Sequence, residues 1–136
     1  MPETGPPPLT FADLSLLVAE DEPFARKLTL ATLQRIGIRK VTAVPDGTEA
    51  LKAITAAREP FHLIVSDWNM PGINGLELLR LVREHHPQMP FLMLTGHADQ
   101  ELVLAARAAR VNGYIVKPFS ADQLKTKIAV TLGIRS

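Results

Sequence analysis

Apolar residues along this chain gather into five short runs, separated by longer stretches in which apolar positions recur every three or four residues. Short apolar runs bounded by turn-forming residues predict buried strands. They are Leu14–Ala19, Val41–Val44, the run from Phe61 into Asp67, Phe91–Thr95 and Tyr114–Lys117. The intervening spacing predicts helices over Pro23–Ile36, Thr48–Arg58, from Gly75 through Arg83, over Asp99–Arg110 and over Ala121–Leu132. Pro23 suits a first helical turn, where its missing N–H costs nothing, and Gly37 suits the end of that helix. Glu59-Pro60 and Pro87 close the second and third helices, and Gly96 follows the fourth strand.

Strands alternating with helices in this way predict one α/β domain: a parallel sheet wound on both faces, with five strands and five helices. In the fourth helix Leu102, Ala105, Ala106 and Ala109 are expected to face the sheet, leaving Val103 and Arg107 outside. In the fifth, Leu124, Ile128 and Leu132 form the inner stripe, and Lys125 and Lys127 lie off it. Residues 1–13 hold four of the eleven prolines and read as a flexible tail, leaving residues 14–136 as the folded domain. Leu9, Phe11 and Leu14 are the residues that would tack the tail's end to it. A Pro-rich docking peptide is the alternative, though no PxxP repeats. The chain closes on the fifth helix, so no output domain is expected behind it.

Composition narrows the function classes. The chain has 136 residues, 46% of them apolar, and a net charge of +1, so no general field favours nucleic acid. It has no cysteine, which excludes disulfides and thiolate metal sites. No apolar run approaches the ~20 residues that cross a bilayer, and the first residues lack the charged start and apolar core of a signal peptide. A cytoplasmic protein with no membrane insertion is expected.

The candidate chemistry sits where strands end. Glu20 and Asp21 follow the first strand and Asp67 ends the third. If those strands are neighbours, as in a doubly wound order of 2-1-3-4-5, the three acids share one crevice at the sheet's C-terminal edge. Their repulsion would be relieved by a hard cation with oxygen ligands, best Mg²⁺. The same acids can instead cap helix N-termini. Thr95 and Lys117 end the fourth and fifth strands at that edge. Beside a nucleophilic carboxylate, a hydroxyl and an ammonium can hold the oxygens of a transferring phosphoryl group. Singly, such a Thr is an ordinary strand residue and such a Lys ordinarily snorkels.

Taken together, the VAEDE, IVSDWNMPGINGLELL, MLTGH and GYIVKPF blocks resemble the receiver domain of bacterial response regulators, especially its stand-alone chemotaxis type, over about residues 14–134. The resemblance implies the strand order 2-1-3-4-5. It implies Asp67 as phosphoacceptor, Glu20, Asp21, Asp67 and the Asn69 backbone carbonyl as the Mg²⁺ site, and Thr95 and Lys117 as the phosphoryl-binding pair. It further implies a cis Lys117-Pro118 bond, Tyr114 as the aromatic that follows Thr95 on activation, and a partner face carrying Val103, Arg107, Tyr114 and Lys127. The implied partners are a sensor histidine kinase or histidine phosphotransferase, meeting the first helix near Pro23 and Arg26, and a downstream protein target; a monomer is expected. Such a protein is a switch that catalyses only its own phosphorylation and dephosphorylation.

Four positions depart from the usual pattern. Glu20 stands for the more common Asp and reaches further, in a position to act through a metal-bound water. Met70 and His97 are expected beside the path of the attacking water, with His97 also readable as a solvated loop residue. Arg110 replaces a helix-ending glycine, a turn that Asn112-Gly113 is expected to make instead.

Three other functions compete. A receiver-like adaptor independent of phosphorylation would not need the full set of Asp67, Thr95, Lys117 and the acid pair. A flavodoxin-like flavin site would need amides and hydroxyls where Glu20, Asp21 and Glu22 would repel phosphate. A DxD phosphatase would need an acid at position 69, which is Asn.

Overall fold

The five strands form one parallel sheet in the order β2-β1-β3-β4-β5, as the resemblance implied. A computed structural model describes residues 9–96 and 99–134. In chain order these hold β1 (Ser15–Ala19), α1 (Pro23–Ile36), β2 (Lys40–Val44), α2 (Gly47–Ala56), β3 (Leu63–Asp67), α3 (Gly75–His85), β4 (Phe91–Thr95), α4 (Gln100–Ala108), β5 (Gly113–Val116) and α5 (Ala121–Leu132). Alternate residues of each strand face opposite sides. Leu17, Ala19, Ile64, Phe91 and Met93 thus meet Ala50 of α2, Leu78, Leu79 and Val82 of α3 and Ala106 of α4. Leu16, Val18, Leu63, Val65, Leu92, Leu94 and Ile115 meet Leu33 of α1 and Leu124 and Ile128 of α5. The first strand starts at Ser15 rather than Leu14, yet Leu14 is fully buried. Before it, Phe11–Asp13 make a single 3₁₀ turn; Phe11 packs on the α1/α5 side, with the Lys125 ammonium 5.7 Å from its ring centre. The rest of the expected tail, residues 1–8, lies outside the described residues.

The loops are shaped by caps and close contacts. Glu22 leaves the acid crevice to start α1, its carboxylate accepting from the Phe24 and Ala25 N–H groups at 3.0 and 2.6 Å. Those bonds hold the Glu22 carboxyl below its ordinary range. After β3 the chain is pressed from two sides. A Cβ on Gly75 would collide with the Asp67 carbonyl oxygen and lie 2.8 Å from Met93 Sδ, and one on Gly47 would lie 2.8 Å from Ile73. Only glycine lets these backbones approach so closely.

Three sequence expectations are corrected here. Arg110, not Asn112-Gly113, makes the turn after α4: it takes φ 64°, and the N–H groups of Arg110 and Val111 donate back to the Arg107 and Ala106 carbonyls at 2.9 and 3.0 Å. Asn112 is needed elsewhere, since its side-chain oxygen accepts from both the Phe91 N–H and Arg83, each at 2.8 Å. Met70 is buried in the α2/α3 core instead of lining a water path. Val103 is half-buried and turned inward, lining a cavity of about 10 Å³ with Trp68, Met93, Thr95 and Tyr114. Leu104, 53% exposed, is the apolar residue that faces out.

Arg83 is a feature the apolar spacing did not reveal. Only 7% exposed, it donates to the carbonyls of Arg110 (3.1 Å from Nε, 2.9 Å from Nη2), His86 (3.3 Å) and Met89 (2.6 Å), and to Asn112. Its guanidinium so ties the end of α3 to the start of β4 and to the α4–β5 turn. Burial, with Arg110 nearby, pulls its pKa below the ordinary value.

Candidate functional site

Because β1 and β3 are neighbours, with Ala19 opposite Ser66 in register, the acids after both strands meet at the C-terminal edge of the sheet. One carboxylate oxygen from each of Glu20, Asp21 and Asp67 falls within 4.8 Å of the others. Asp21 is exposed, Asp67 half-buried and Glu20 only 1% exposed. Glu20 Oε1 accepts from Lys117 Nζ at 2.8 Å, and Asp67 Oδ1 lies 3.3 Å from the same ammonium. Asp67 Oδ1 also accepts from the Trp68 N–H at 2.9 Å, which fixes the carboxylate on its own loop. The β1–α1 loop is braced by Arg26, whose Nη1 donates to the Glu20 and Asp21 carbonyls at 2.9 and 3.4 Å. A cation one turn after an acid pair was the sequence signal for that brace.

Electrostatics follow from this crowding. Burial, together with Asp67 next door, raises the Glu20 pKa; Lys117 opposes but does not cancel the effect. Burial also works against the Lys117 ammonium, but Glu20 and Asp67 overcome it and hold its pKa above the ordinary value. One polar atom is left over. Glu20 Oε2 is buried and has no hydrogen-bond partner among the described residues. An ionised oxygen in that position is costly unless a cation meets it, and together with Asp21 and Asp67 it makes an all-oxygen set that suits Mg²⁺. The residues present therefore fit the metal.

The remaining expected residues lie around this crevice. Thr95 is buried at the end of β4, and its carbonyl accepts the Lys117 N–H at 2.7 Å. Lys117 sits just past β5, which ends at Val116, and its bond to Pro118 is cis. Asn69 is exposed on the loop two residues beyond Asp67. His97 lies outside the described residues.

Comparison with known proteins decides the family. The response regulator receiver domain matches residues 16–129, nearly all of the folded chain. This protein is a receiver domain. It is 38% identical over 117 residues to the chemotaxis protein CheY of Pseudomonas aeruginosa, covering 85% of this chain and 93% of that one. Among solved structures it is similar to the chemotaxis response regulator CheY4 of Vibrio cholerae, with a TM-score of 0.79, 33% identity and coverage of 88% and 98%. It is also similar to the receiver domain of the sensor histidine kinase PA1611 of Pseudomonas aeruginosa, with a TM-score of 0.79, 28% identity and the same coverage. That structure has a magnesium ion coordinated in its active site cleft. The receiver thus belongs to two-component signalling, and receivers act as switches rather than enzymes. No helix among the described residues is long and apolar enough to cross a membrane.

The metal reading of this receiver has a sharp test. Asp21→Ala should weaken Mg²⁺ binding by about tenfold or more, since it removes one of three clustered carboxylates, whereas Glu22→Ala should leave it nearly unchanged because Glu22 caps α1. Trp68, 8% exposed and bonded to Asp67, supplies the fluorescence signal. Equal affinities in the two variants would refute the ligand set.

Proposed function

We propose that this receiver is a phospho-switch that takes a phosphoryl group onto Asp67 from a phosphohistidine on a histidine kinase or histidine phosphotransferase. The reading rests on one observation above all: the Asp67 carboxylate lies 3.3 Å from the Lys117 ammonium inside the cluster it forms with Glu20 and Asp21. An Asp67 oxygen attacks phosphorus, a P–O bond forms, and the P–N bond breaks with its electron pair going to the imidazole. Lys117 and Thr95 meet the charge on the transferred oxygens, in a site where positioning and electrostatics supply most of the rate. Glu20, Asp21, Asp67 and the Asn69 carbonyl would hold Mg²⁺, which when bound neutralises phosphoryl charge. Protein incubated with Mg²⁺ and a small acyl-phosphate donor should gain one phosphoryl group by intact mass, and should not gain it when the metal is chelated. No gain under either condition would overturn the reading.

The response is read on the face of α4, β5 and α5. There Tyr114, Arg107, Val116 and Lys127 line an open groove of about 830 Å³, beside Val130, which is 76% exposed. Tyr114 supports this choice because it touches both ends of the coupling. On one side it shares the small cavity with Thr95, and on the other the Lys127 ammonium stands 5.7 Å from its ring centre. A partner that contacts Tyr114 distinguishes the two states only if their contacts differ. Tyr114→Ala and Lys127→Glu should each weaken target binding by about tenfold, the scale of an interface anchor, while Asp67 is still labelled. Normal target binding with lost labelling would place the output elsewhere.

A further inference from the structure

At the N-terminal edge of the sheet, roughly 17 Å from Asp67 if a five-residue strand rises ~3.3 Å per residue, three arginines converge. Arg80, Arg83 and Arg110 line a depression of about 300 Å³ between α3 and the end of α4, with Glu84 as its acid. Arg83 is buried there and its donors all go to neutral oxygens, so its charge meets no carboxylate among the described residues. Cations at helix C-termini often serve only the helix dipole. That accounts for Arg83. It does not account for Arg80 and Arg110, which are exposed and whose side chains make no hydrogen bond or ion pair among the described residues.

Arg110 carries a second signal. Its backbone is left-handed, at φ 64°, a conformation that glycine takes freely and that is disfavoured for other L-residues. A long cation at that turn is disfavoured locally, and what it adds is a guanidinium on the rim of the depression. An observed backbone outlier of this kind points to use of the side chain.

Three guanidinium groups against one carboxylate leave the depression positive enough to match a dianion. Arg80 and Arg110 supply free planar forks suited to phosphate oxygens, and the locked Arg83 adds a charge that cannot swing away. We propose that this depression binds a phosphate-type dianion, either free or as the phosphate of a small ester. The site is separate from Asp67 and does not depend on phosphorylation.

The test is a titration of the full chain, free of divalent metal and at constant ionic strength, with inorganic phosphate followed by amide NMR. Saturable shifts are expected at Arg80, Arg110 and Val111, and not at Trp68. Arg80→Gln combined with Arg110→Gly should bind about tenfold or more weakly, the scale of a lost charge-assisted pair; the glycine relieves the turn, so misfolding cannot explain the loss. Glu84→Gln should bind more tightly. A parallel titration with a nucleoside monophosphate separates the sources: matching shifts assign an ester, and shifts with inorganic anion alone assign the free one. Non-saturating shifts, equal binding by the double variant, or binding of an acidic peptide without binding of either phosphate would overturn the proposal.

Discussion

Asp67→Asn is expected to gain no phosphoryl group from an acyl-phosphate donor in the presence of Mg²⁺, while the metal-free variant becomes more stable. The two effects have one cause. In the resting protein Asp67 shares its crevice with Glu20 and Asp21 against a single nearby ammonium. Removing one of three acids relieves repulsion that Lys117 does not fully neutralise, a gain on the order of 1 kcal/mol. The amide that replaces the carboxylate has no anionic oxygen to attack phosphorus. Loss of labelling alone could follow from misfolding, but loss together with a raised unfolding midpoint could not. Intact mass and thermal unfolding on the same sample decide it, and a variant labelled like the parent protein would sink the assignment of Asp67.

The second large effect is expected far from that crevice. Arg83→Met keeps most of the buried stem volume but takes the charged donor from the Arg110 and Met89 carbonyls, and one of two donors from the His86 carbonyl and the Asn112 side-chain oxygen. Hydrogen bonds from a charged donor are worth ~1.5–3 kcal/mol each, and these share one group and do not add, so a loss of roughly 3–5 kcal/mol is expected. That is a large part of the ~5–15 kcal/mol that holds a typical domain folded. Arg83→Lys should recover little, because an ammonium cannot fan out to four acceptors as a guanidinium does. Urea unfolding of both variants beside Arg80→Met, an exposed position on the same helix, makes the comparison. Equal midpoints for Arg83→Met and Arg80→Met would show that the clamp does not carry stability.

Much of this molecule is legible in its sequence because its chemistry sits where the hydrophobic period changes. Each apolar run stops at a residue that cannot be core, and Asp67, Thr95 and Lys117 are three of those stops. Helix and strand limits shift by only a residue or two, as where α2 ends at Ala56 instead of Arg58 and β5 starts at Gly113. Strand order is another matter. Alternation dictates parallel crossovers but not the side to which each one steps, so the order 2-1-3-4-5 came from the resemblance. Contacts between distant residues were hidden for the same reason: nothing local links Glu20 to Lys117 across 97 residues. Val103 misled because α4 is short and rich in alanine. With Ala105, Ala106 and Ala108 on it and Ala109 just after it, the helix has no sharp apolar edge, and packing beside Tyr114 decides the rotation. Arg83 interrupts an apolar stripe in the sequence, a sign of a buried cation, but two of its partners, Arg110 and Asn112, lie 27 and 29 residues further along the chain.

The glycine contacts behind Asp67 bear on how force leaves the site. With Gly75 seated against the Asp67 carbonyl and the Gly75 N–H donating to the Trp68 carbonyl at 2.8 Å, the chain on the α3 side has no slack. Gly47 wedges Ile73 from the next loop in the same way. The acid therefore stands on a closely packed support, and in the proposed switch added bulk or charge at its tip would push across β4 toward Thr95, whose small cavity also holds Val103 and the ring of Tyr114. A hinge engineered into the loop after Asp67 would absorb that push before it travelled, whereas the same softness placed beyond α5 would leave the load path intact.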